Sequence, residues 1–260
     1  MLKKLLWFHL AFILCFTAFP FSAFAEEKTA AIIIDDFGGD VNGADQFLQG
    51  DIPVTVAIMP FLKQAKLQDT KAHQNGLEVI IHLPLEPKTG KKSWLGPNAI
   101  TSDLSDEEIK RRLNTAIKNV PHAKGLNNHM GSKGMEDERI VTHIVQFAKE
   151  HQLYLIDSGT TAKSLMPELA ERYQVPCLKR TLFIDDSTSS YSYVRNQLDT
   201  FIKTAHNHDY PLAIGHVGIK GNDTYKAIVQ AGEQFKKENV TLVFPSQWLY
   251  PQIDTHLNKL

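Results

Sequence analysis

Short apolar segments alternate with amphipathic segments from residue 30 to the C-terminal end, and this alternation restricts the fold more than any other feature of the sequence. The apolar segments have the length of buried strands, and the amphipathic segments have helical spacing. Repeated strand-helix units predict a parallel sheet whose connections are helical. The strands are expected at residues 30–35, 54–59, 78–82, 125–129, 153–157, 178–184, 212–216 and 241–244.

The clearest predicted helix begins after Ser105. Ser105 and Glu108 have capping-box spacing, and Ile109, Leu113 and Ile117 recur every four residues on one face. Further helices are expected near residues 136–150, 190–206 and 222–237. Seven or eight such units in about 235 residues fit a closed or nearly closed, distorted (β/α) barrel, with an open doubly wound sheet as the alternative. The longest loop spans residues 84–101, and loops of that length are often functional.

The first 25 residues have the pattern of a cleaved secretory signal. Two lysines precede an apolar run over residues 5–19, and Ala23-Phe24-Ala25 forms a small-x-small cleavage site. The run is shorter than the roughly 20 residues of a spanning helix, so an uncleaved anchor is the weaker alternative. We expect one mature domain over residues 26–260, without a transmembrane segment, that is secreted or held in the cell envelope.

The charge balance excludes one class of partner. The chain has 28 Lys+Arg and 29 Asp+Glu, a formal net charge of -1, and lacks the strongly basic character of a nucleic-acid-binding domain. We therefore expect no nucleic-acid partner. After removal of the leader, Cys177 is the only cysteine, so no intrachain disulfide can form and the core must stabilise the domain.

Carboxylates and imidazoles follow six of the predicted strands at the point where each ends. They are Asp35 with Asp36, His82, His129, Asp157, Asp185 and His216. The C-terminal strand ends of a (β/α) barrel line its active site, and imidazole with carboxylate suits zinc or another divalent first-row metal. An Asp after a strand also often begins a turn, and Asp157 and Asp185 keep that alternative. Because successive strand side chains point to opposite faces, Asp35 and Asp36 are expected to have different roles, one on the metal and one off it.

Three motifs carry a family resemblance. Ile-Ile-Ile-Asp-Asp-Phe-Gly at residues 32–38 resembles the Thr-Phe-Asp-Asp-Gly motif that opens the polysaccharide deacetylase (NodB-homology) domain. Residues 76–86 have the spacing of the second motif, with His82 at its first ligand position and Glu86 in place of its second histidine, and Ile214-Gly215-His216 resembles the closing Leu-x-His motif. The chain after the leader is similar to the divergent polysaccharide deacetylase family of bacterial envelopes. This resemblance implies a distorted (β/α) barrel, a divalent metal with zinc favoured, and removal of N- or O-acetyl groups from a polysaccharide or cell-wall glycan.

The resemblance also implies roles for individual residues. It assigns metal ligation to Asp36 and His82, the general base that deprotonates the attacking water to Asp35, and the general acid to His216. The third ligand is open between Glu86, which holds the family position, and His129. An extended Leu-Pro-Leu segment precedes Glu86, which favours His129 slightly. The family's Arg-Pro-Pro-Tyr segment is absent, and residues 127–132 occupy its place.

Three more residues are candidates around the site. Asp157 is expected to orient His216 or His129 by accepting a ring N–H, and Asp185 is a further supporting or substrate-binding carboxylate. Trp94, in the long loop, offers an apolar face for a sugar ring or simply covers the barrel rim.

A non-catalytic envelope protein that keeps the barrel and binds a glycan or protein partner is the alternative function, because the second and third motifs are altered. An acid-base glycosidase is a weaker third hypothesis, since Asp35 and Asp36 adjoin and cannot easily flank a scissile bond.

Overall fold

The computed structural model describes residues 27–186 and 189–250. The leader predicted over residues 1–25 lies outside the described residues. No helix in these two ranges is long and apolar enough to cross a membrane.

The described residues form one parallel sheet. Eight strands follow the order β6-β5-β4-β3-β2-β1-β8-β7, and β9 pairs with the beginning of β1. The strands are β1 (Lys28–Phe37), β2 (Thr55–Ile58), β3 (Glu78–Leu85), β4 (Ala123–Met130), β5 (Tyr154–Asp157), β6 (Cys177–Lys179), β7 (Leu182–Phe183), β8 (Leu212–His216) and β9 (Val240–Leu242).

Most helices cover the outer face of this sheet, whereas the last one packs against the inner apolar cluster through Trp248 and Leu249. The helices are α1 (Ala44–Phe47), α2 (Ala65–Gln74), α3 (Asp106–Asn119), α4 (Glu138–Glu150), α5 (Met166–Tyr173), α6 (Tyr191–Ala205), α7 (Gly221–Lys237) and α8 (Pro245–Leu249), with 3-10 turns at Lys92–Trp94 and Gly134–Glu136. The Ser105 side chain caps α3 by accepting a hydrogen bond from the Glu108 backbone N–H. The Glu108 carboxylate binds Arg111 and Arg112, so only this half of the predicted capping box is seen.

The sheet is curled around an inner apolar cluster. Leu178 near one end of the sheet and Ile214 near the other belong to the same buried cluster, together with Ile33 and Ile80. The intervening apolar residues on the other side of the strands, such as Ile32 and Ile34, belong to the larger cluster beneath the helices. A flat, open sheet would separate its two edges, so the predicted distorted (β/α) barrel is confirmed and the doubly wound alternative is wrong.

The single strand predicted over residues 178–184 is also wrong. The chain changes its hydrogen-bonding partner between two consecutive residues: the Arg180 N–H donates to the Asp157 carbonyl, and the Thr181 N–H donates to the Leu212 carbonyl. This step divides the segment into β6 and β7, which lie at opposite ends of the sheet. The seam of the barrel therefore lies at Arg180 and Thr181.

Candidate functional site

Three side chains meet at the C-terminal edge of the sheet: Asp36 from β1, His82 from β3 and His129 from β4. His82 Nε2 lies 3.0 Å from His129 Nδ1 and 3.2 Å from Asp36 Oδ1, and His129 Nδ1 lies 3.0 Å from Asp36 Oδ1. The three atoms thus form a nearly equilateral triangle. Metal-nitrogen and metal-oxygen bonds of about 2.0–2.2 Å place adjacent ligand atoms about 3 Å apart. This donor set fits one face of the coordination shell of zinc or a similar divalent ion.

The hydrogen bonds around the rings of His82 and His129 determine which nitrogen of each ring carries a proton and which keeps its lone pair. Asn127 Nδ2 donates to Asp35 Oδ1 over 2.8 Å, so the Asn127 carbonyl oxygen faces His82 Nδ1 at 2.7 Å and accepts its N–H. His129 Nε2 donates to the Trp94 backbone carbonyl over 2.9 Å. Each ring consequently turns an acceptor nitrogen toward Asp36. Such outer hydrogen bonds commonly orient metal-binding histidines.

A bulge in β1 brings Asp36 into this cluster. Ile34 pairs with Val56 and Phe37 pairs with Ile58, so β1 carries one extra residue opposite β2. Asp36 has a φ of 71°, which turns its side chain away from the regular alternation. The sequence prediction that Asp35 and Asp36 point to opposite faces is wrong for this reason, because both carboxylates approach His82.

The cluster favours a positive charge at its centre. Burial alone would raise the pKa of Asp36, but the neighbouring His129 and His82 rings hold it well below its usual range. Burial alone would lower the pKa of His82, but the charges of Asp35 and Asp36 raise it. Asp36 Oδ1 is buried and has no well-oriented hydrogen bond among the described residues. An orphaned carboxylate oxygen beside two ring nitrogens fits a bound cation.

Asp35 lies beneath the triangle with only 2% of its surface exposed. Its Oδ1 is 3.7 Å from His82 Nδ1. Burial raises the pKa of Asp35, against the opposing charges of His82 and His216. A carboxylate of this kind is a stronger proton acceptor than an ordinary surface carboxylate.

A buried carboxylate orients His216, which lies next to Asp35 because the two residues are register partners in β8 and β1. Asp185 Oδ1 is 2.7 Å from His216 Nδ1, and Asp185 Oδ2 accepts from the His216 backbone N–H and the Thr224 hydroxyl. Burial alone would lower the pKa of His216, but the hydrogen bond to Asp185 and its charge raise it to about 9. His216 therefore holds a proton at neutral pH.

Glu86 does not join the cluster. Its carboxylate binds Lys133 Nζ at 2.8 Å and the backbone N–H and hydroxyl of Ser102 at 2.8 Å. Glu86 is four positions after His82, and four residues of extended chain span about 13 Å. In a helix, by contrast, side chains four positions apart would have Cβ atoms within about 6 Å of each other. His82 lies inside β3 and Glu86 just beyond it, so the expectation of Glu86 as a ligand is not supported and the geometry favours His129.

Asp157 has the turn role that the sequence left open for it, and Trp94 has an exposed side chain in the long loop. Asp157 Oδ1 accepts the Gly159 N–H over 2.8 Å, so it orders a turn, while Asp185 and the Trp94 carbonyl orient His216 and His129. The Trp94 side chain is 61% exposed with Lys91 Nζ 5.4 Å from its ring centroid. Stacking of a sugar on this ring stays a prediction.

Sequence reasoning missed Asn127 as part of this network. Asn127 is two residues before His129, so both side chains lie on the same side of β4. It is also the register partner of His82. The two-residue alternation of side chains along β4, counted back from His129, could therefore have identified Asn127 from the sequence.

Sequence and structure comparisons show which known proteins the chain is similar to. The chain is 34% identical over 229 residues to the uncharacterized protein YibQ of Escherichia coli K12. The alignment covers 86% of this chain and 69% of YibQ. The uncharacterized protein ATU2773 of Agrobacterium tumefaciens C58 has a similar structure, with a TM-score of 0.76 and 17% identity over 85% of this chain and 89% of the other. BA3943 of Bacillus anthracis, a CE4 family pseudoenzyme, aligns with a TM-score of 0.53 and 11% identity over 86% of this chain and 65% of its own.

The family match covers nearly the whole described chain and includes every residue of the cluster. The family model described as divergent polysaccharide deacetylase matches residues 32–249. The protein therefore belongs to the divergent polysaccharide deacetylase family.

Proposed function

We propose that the protein is a metal-dependent hydrolase that removes N- or O-acetyl groups from a polysaccharide or cell-wall glycan outside the cytoplasm. The observation that carries this proposal is the triangle of Asp36, His82 and His129, which has a buried carboxylate, Asp35, below it and an oriented imidazole, His216, beside it. A divalent ion held by the three ligands, with zinc favoured, would polarise the acyl carbonyl and increase the acidity of water.

Asp35 supplies the base in this proposal. Its Oδ1 is held by Asn127, which leaves Oδ2 to take the proton of the attacking water. The raised pKa of Asp35, caused by burial, favours that transfer. The Asn127 bridge also fixes the distance between this base and the ligand His82.

His216 supplies the acid. Its Nδ1–H is bound to Asp185, so the proton on Nε2 is the one available to the leaving nitrogen or oxygen. Asp185 stabilises the imidazolium form and thereby keeps that proton in place at neutral pH. Protonation matters most for an amide, because an unprotonated amine is a poor leaving group.

A non-catalytic binding protein is the second candidate, supported by one specific finding: a pseudoenzyme has the same fold. The two candidates differ in turnover, since both could retain the metal and a glycan.

Metal analysis combined with acetate release distinguishes these functions. We expect about one divalent ion per chain in the purified protein, and its loss in Asp36→Ala/His82→Ala. Asp35→Asn and His216→Gln should keep the metal and lose release of acetate from acetylated chitooligosaccharides or peptidoglycan. Glu86→Gln is the control that keeps both. Metal binding without acetate release from either glycan would favour the binding candidate, and failure to bind any divalent ion after reconstitution would refute the proposed mechanism.

A further inference from the structure

Arg180 differs from the other five arginines of the chain in its charge pairing. Those five lie 2.6–3.8 Å from a carboxylate oxygen; they are Arg111, Arg112, Arg139, Arg172 and Arg195. No carboxylate of the described residues forms such a pair with Arg180. Asp157 and Asp35 interact with its charge only from beyond ion-pair distance, so its hydrogen-bonding groups are available to a ligand.

The guanidinium of Arg180 is held in place by other contacts. Its Nε donates to the Ser158 carbonyl over 2.6 Å, and its Nη2 donates to the Gly159 carbonyl over 3.3 Å. Its Cζ lies 3.7 Å from the centroid of the Phe183 ring. An arginine has five N–H groups, and Nη1 donates to no residue in the described ranges. The side chain is thus a fixed cation with donors to spare, the arrangement that recognises carboxylate or phosphate.

The Arg180 side chain lies near His216, the proposed general acid. The Phe183 ring that stacks on Arg180 also lies 5.6 Å, centroid to centroid, from the His216 ring. The Phe183 ring therefore neighbours both the guanidinium and the imidazole that protonates the leaving group. A substrate group bound by Arg180 would belong to the sugar on the leaving-group side.

The surrounding charge gives this cation a distinct role. The same edge of the barrel carries Asp35, Asp36 and Asp185, which would repel an anionic glycan. Arg180 is only partly buried and is a fixed cation on the His216 side of this edge. It can offset that repulsion at one place and so select where an anion is received.

We propose that Arg180 binds an oxoanion, a carboxylate or a phosphate, carried by the leaving-group sugar of the glycan substrate. This inference rests on the proposed function, because that function gives the cleft a glycan and His216 a leaving group. Arg180 is a specificity residue in this proposal, and the metal ligands do not depend on it.

Calorimetric binding to the full chain tests the proposal without requiring turnover. The first probe is a tetrasaccharide of alternating N-acetylglucosamine and N-acetylmuramic acid, and its neutral match is the same compound with the lactyl carboxylates converted to carboxamides. A second pair compares chitotetraose with its 6-phosphorylated form. The variants are Arg180→Gln, Arg180→Lys and, as a control, Arg172→Gln, which removes an exposed arginine of α5.

A hydrogen-bonded charge contact corresponds to about 10- to 100-fold in affinity. We expect the wild-type protein and Arg172→Gln to prefer one of the anionic probes by that factor over its neutral match, and Arg180→Gln to lose the preference while still binding the neutral probe. The pair that shows the effect identifies carboxylate or phosphate. Arg180→Lys should keep part of the preference, which provides the test if Arg180→Gln does not fold.

Three results would overturn the proposal: equal affinity of the wild type for charged and neutral probes, an unchanged preference in Arg180→Gln, or no binding of any anionic probe. If Arg180 only supports the turn after β5, Arg180→Gln would lower the melting temperature without altering the preference. Acetate release measured on the same samples separates this inference from the proposed function. Release without charge preference would refute only the role of Arg180, and charge preference without release would refute only the enzymatic activity.

Discussion

Asn127 connects the proposed general base to a proposed metal ligand, and its replacement by leucine is a direct test of that connection. Asn127 is fully buried, accepts the His82 Nδ1–H over 2.7 Å and donates to Asp35 over 2.8 Å. Leucine has a similar shape and can form neither hydrogen bond. The substitution therefore removes the two contacts with little change in packed volume.

Both partners would be left buried without a hydrogen bond. Each unsatisfied group costs about 1–3 kcal/mol, and more when the group is charged. We expect Asn127→Leu to lower the free energy of unfolding by about 2–6 kcal/mol. The His82 ring would also lose the contact that sets its tautomer, and loss of such a contact typically reduces metal affinity by about 10- to 100-fold.

Chelator competition measures the metal affinity, and chemical denaturation of the metal-free protein measures stability. Asn128→Leu is the matched control, because Asn128 is buried and hydrogen-bonds to the Ser158 N–H and the Met130 carbonyl, away from the cluster. It should lose comparable stability and keep the metal affinity. Wild-type affinity in Asn127→Leu, or an equal loss in Asn128→Leu, would refute the relay.

Three further results are expected. The pKa of His216 is raised from 6.5 to about 9, so its contribution to the stability of the metal-free protein is complete below about pH 6.5 and is lost as the pH rises through 9. The stability difference between wild type and His216→Gln should therefore shrink by roughly 3 kcal/mol between about pH 6 and pH 10, and a difference that grows with pH would contradict the pairing. Glu86→Gln should leave the metal-to-protein ratio unchanged in elemental analysis, and a lower ratio would restore Glu86 as a ligand. Gly125→Ala would place a Cβ 2.5–2.8 Å from the buried Tyr154 ring and should lower the free energy of unfolding by about 1–3 kcal/mol. Gly232→Ala, at an open position of α7, should raise it by about 0.5–1 kcal/mol. Equal melting temperatures for the two variants would contradict this packing.

Strand periodicity accounts for much of what the sequence could predict. Ile33 and Asp35 lie two apart on the inner side of β1, as do Ile80 and His82 on β3 and Ile214 and His216 on β8. An apolar residue that faces the barrel interior is thus followed, two positions later, by a functional candidate.

The same alternation along β5 shows why the expected role of Asp157 beside His216 or His129 is wrong. Tyr154 and Ile156 belong to the inner cluster, while Leu155 packs beneath the helices. Asp157 shares the phase of Leu155 and faces away from the cleft, where it orders the following turn. A count of positions along β5 would have separated it from the site residues.

Two features depend on contacts that no local pattern reports. The step from β6 to β7 lies within a continuous run that is strand-like in sequence, and only the partners of Arg180 and Thr181 reveal it. The orientation of His129 depends on the carbonyl of Trp94, 35 positions earlier in the chain. A backbone carbonyl leaves no trace in side-chain composition, so this contact could not be predicted.

The bulge at Asp36 follows from the order of the strands. β2 lies between β1 and β3, so the backbones of β1 and β3 are about 10 Å apart, yet Asp36 Oδ1 must come within 3.2 Å of His82 Nε2. A regular strand would point Asp36 toward the helices. Asp35 lies on the inner side, but its Oδ1 already accepts a hydrogen bond from Asn127. The extra residue turns a second carboxylate over the end of β2 while leaving the first in place. Two adjacent acids can therefore serve one centre in different roles only because β1 departs from regular geometry between them.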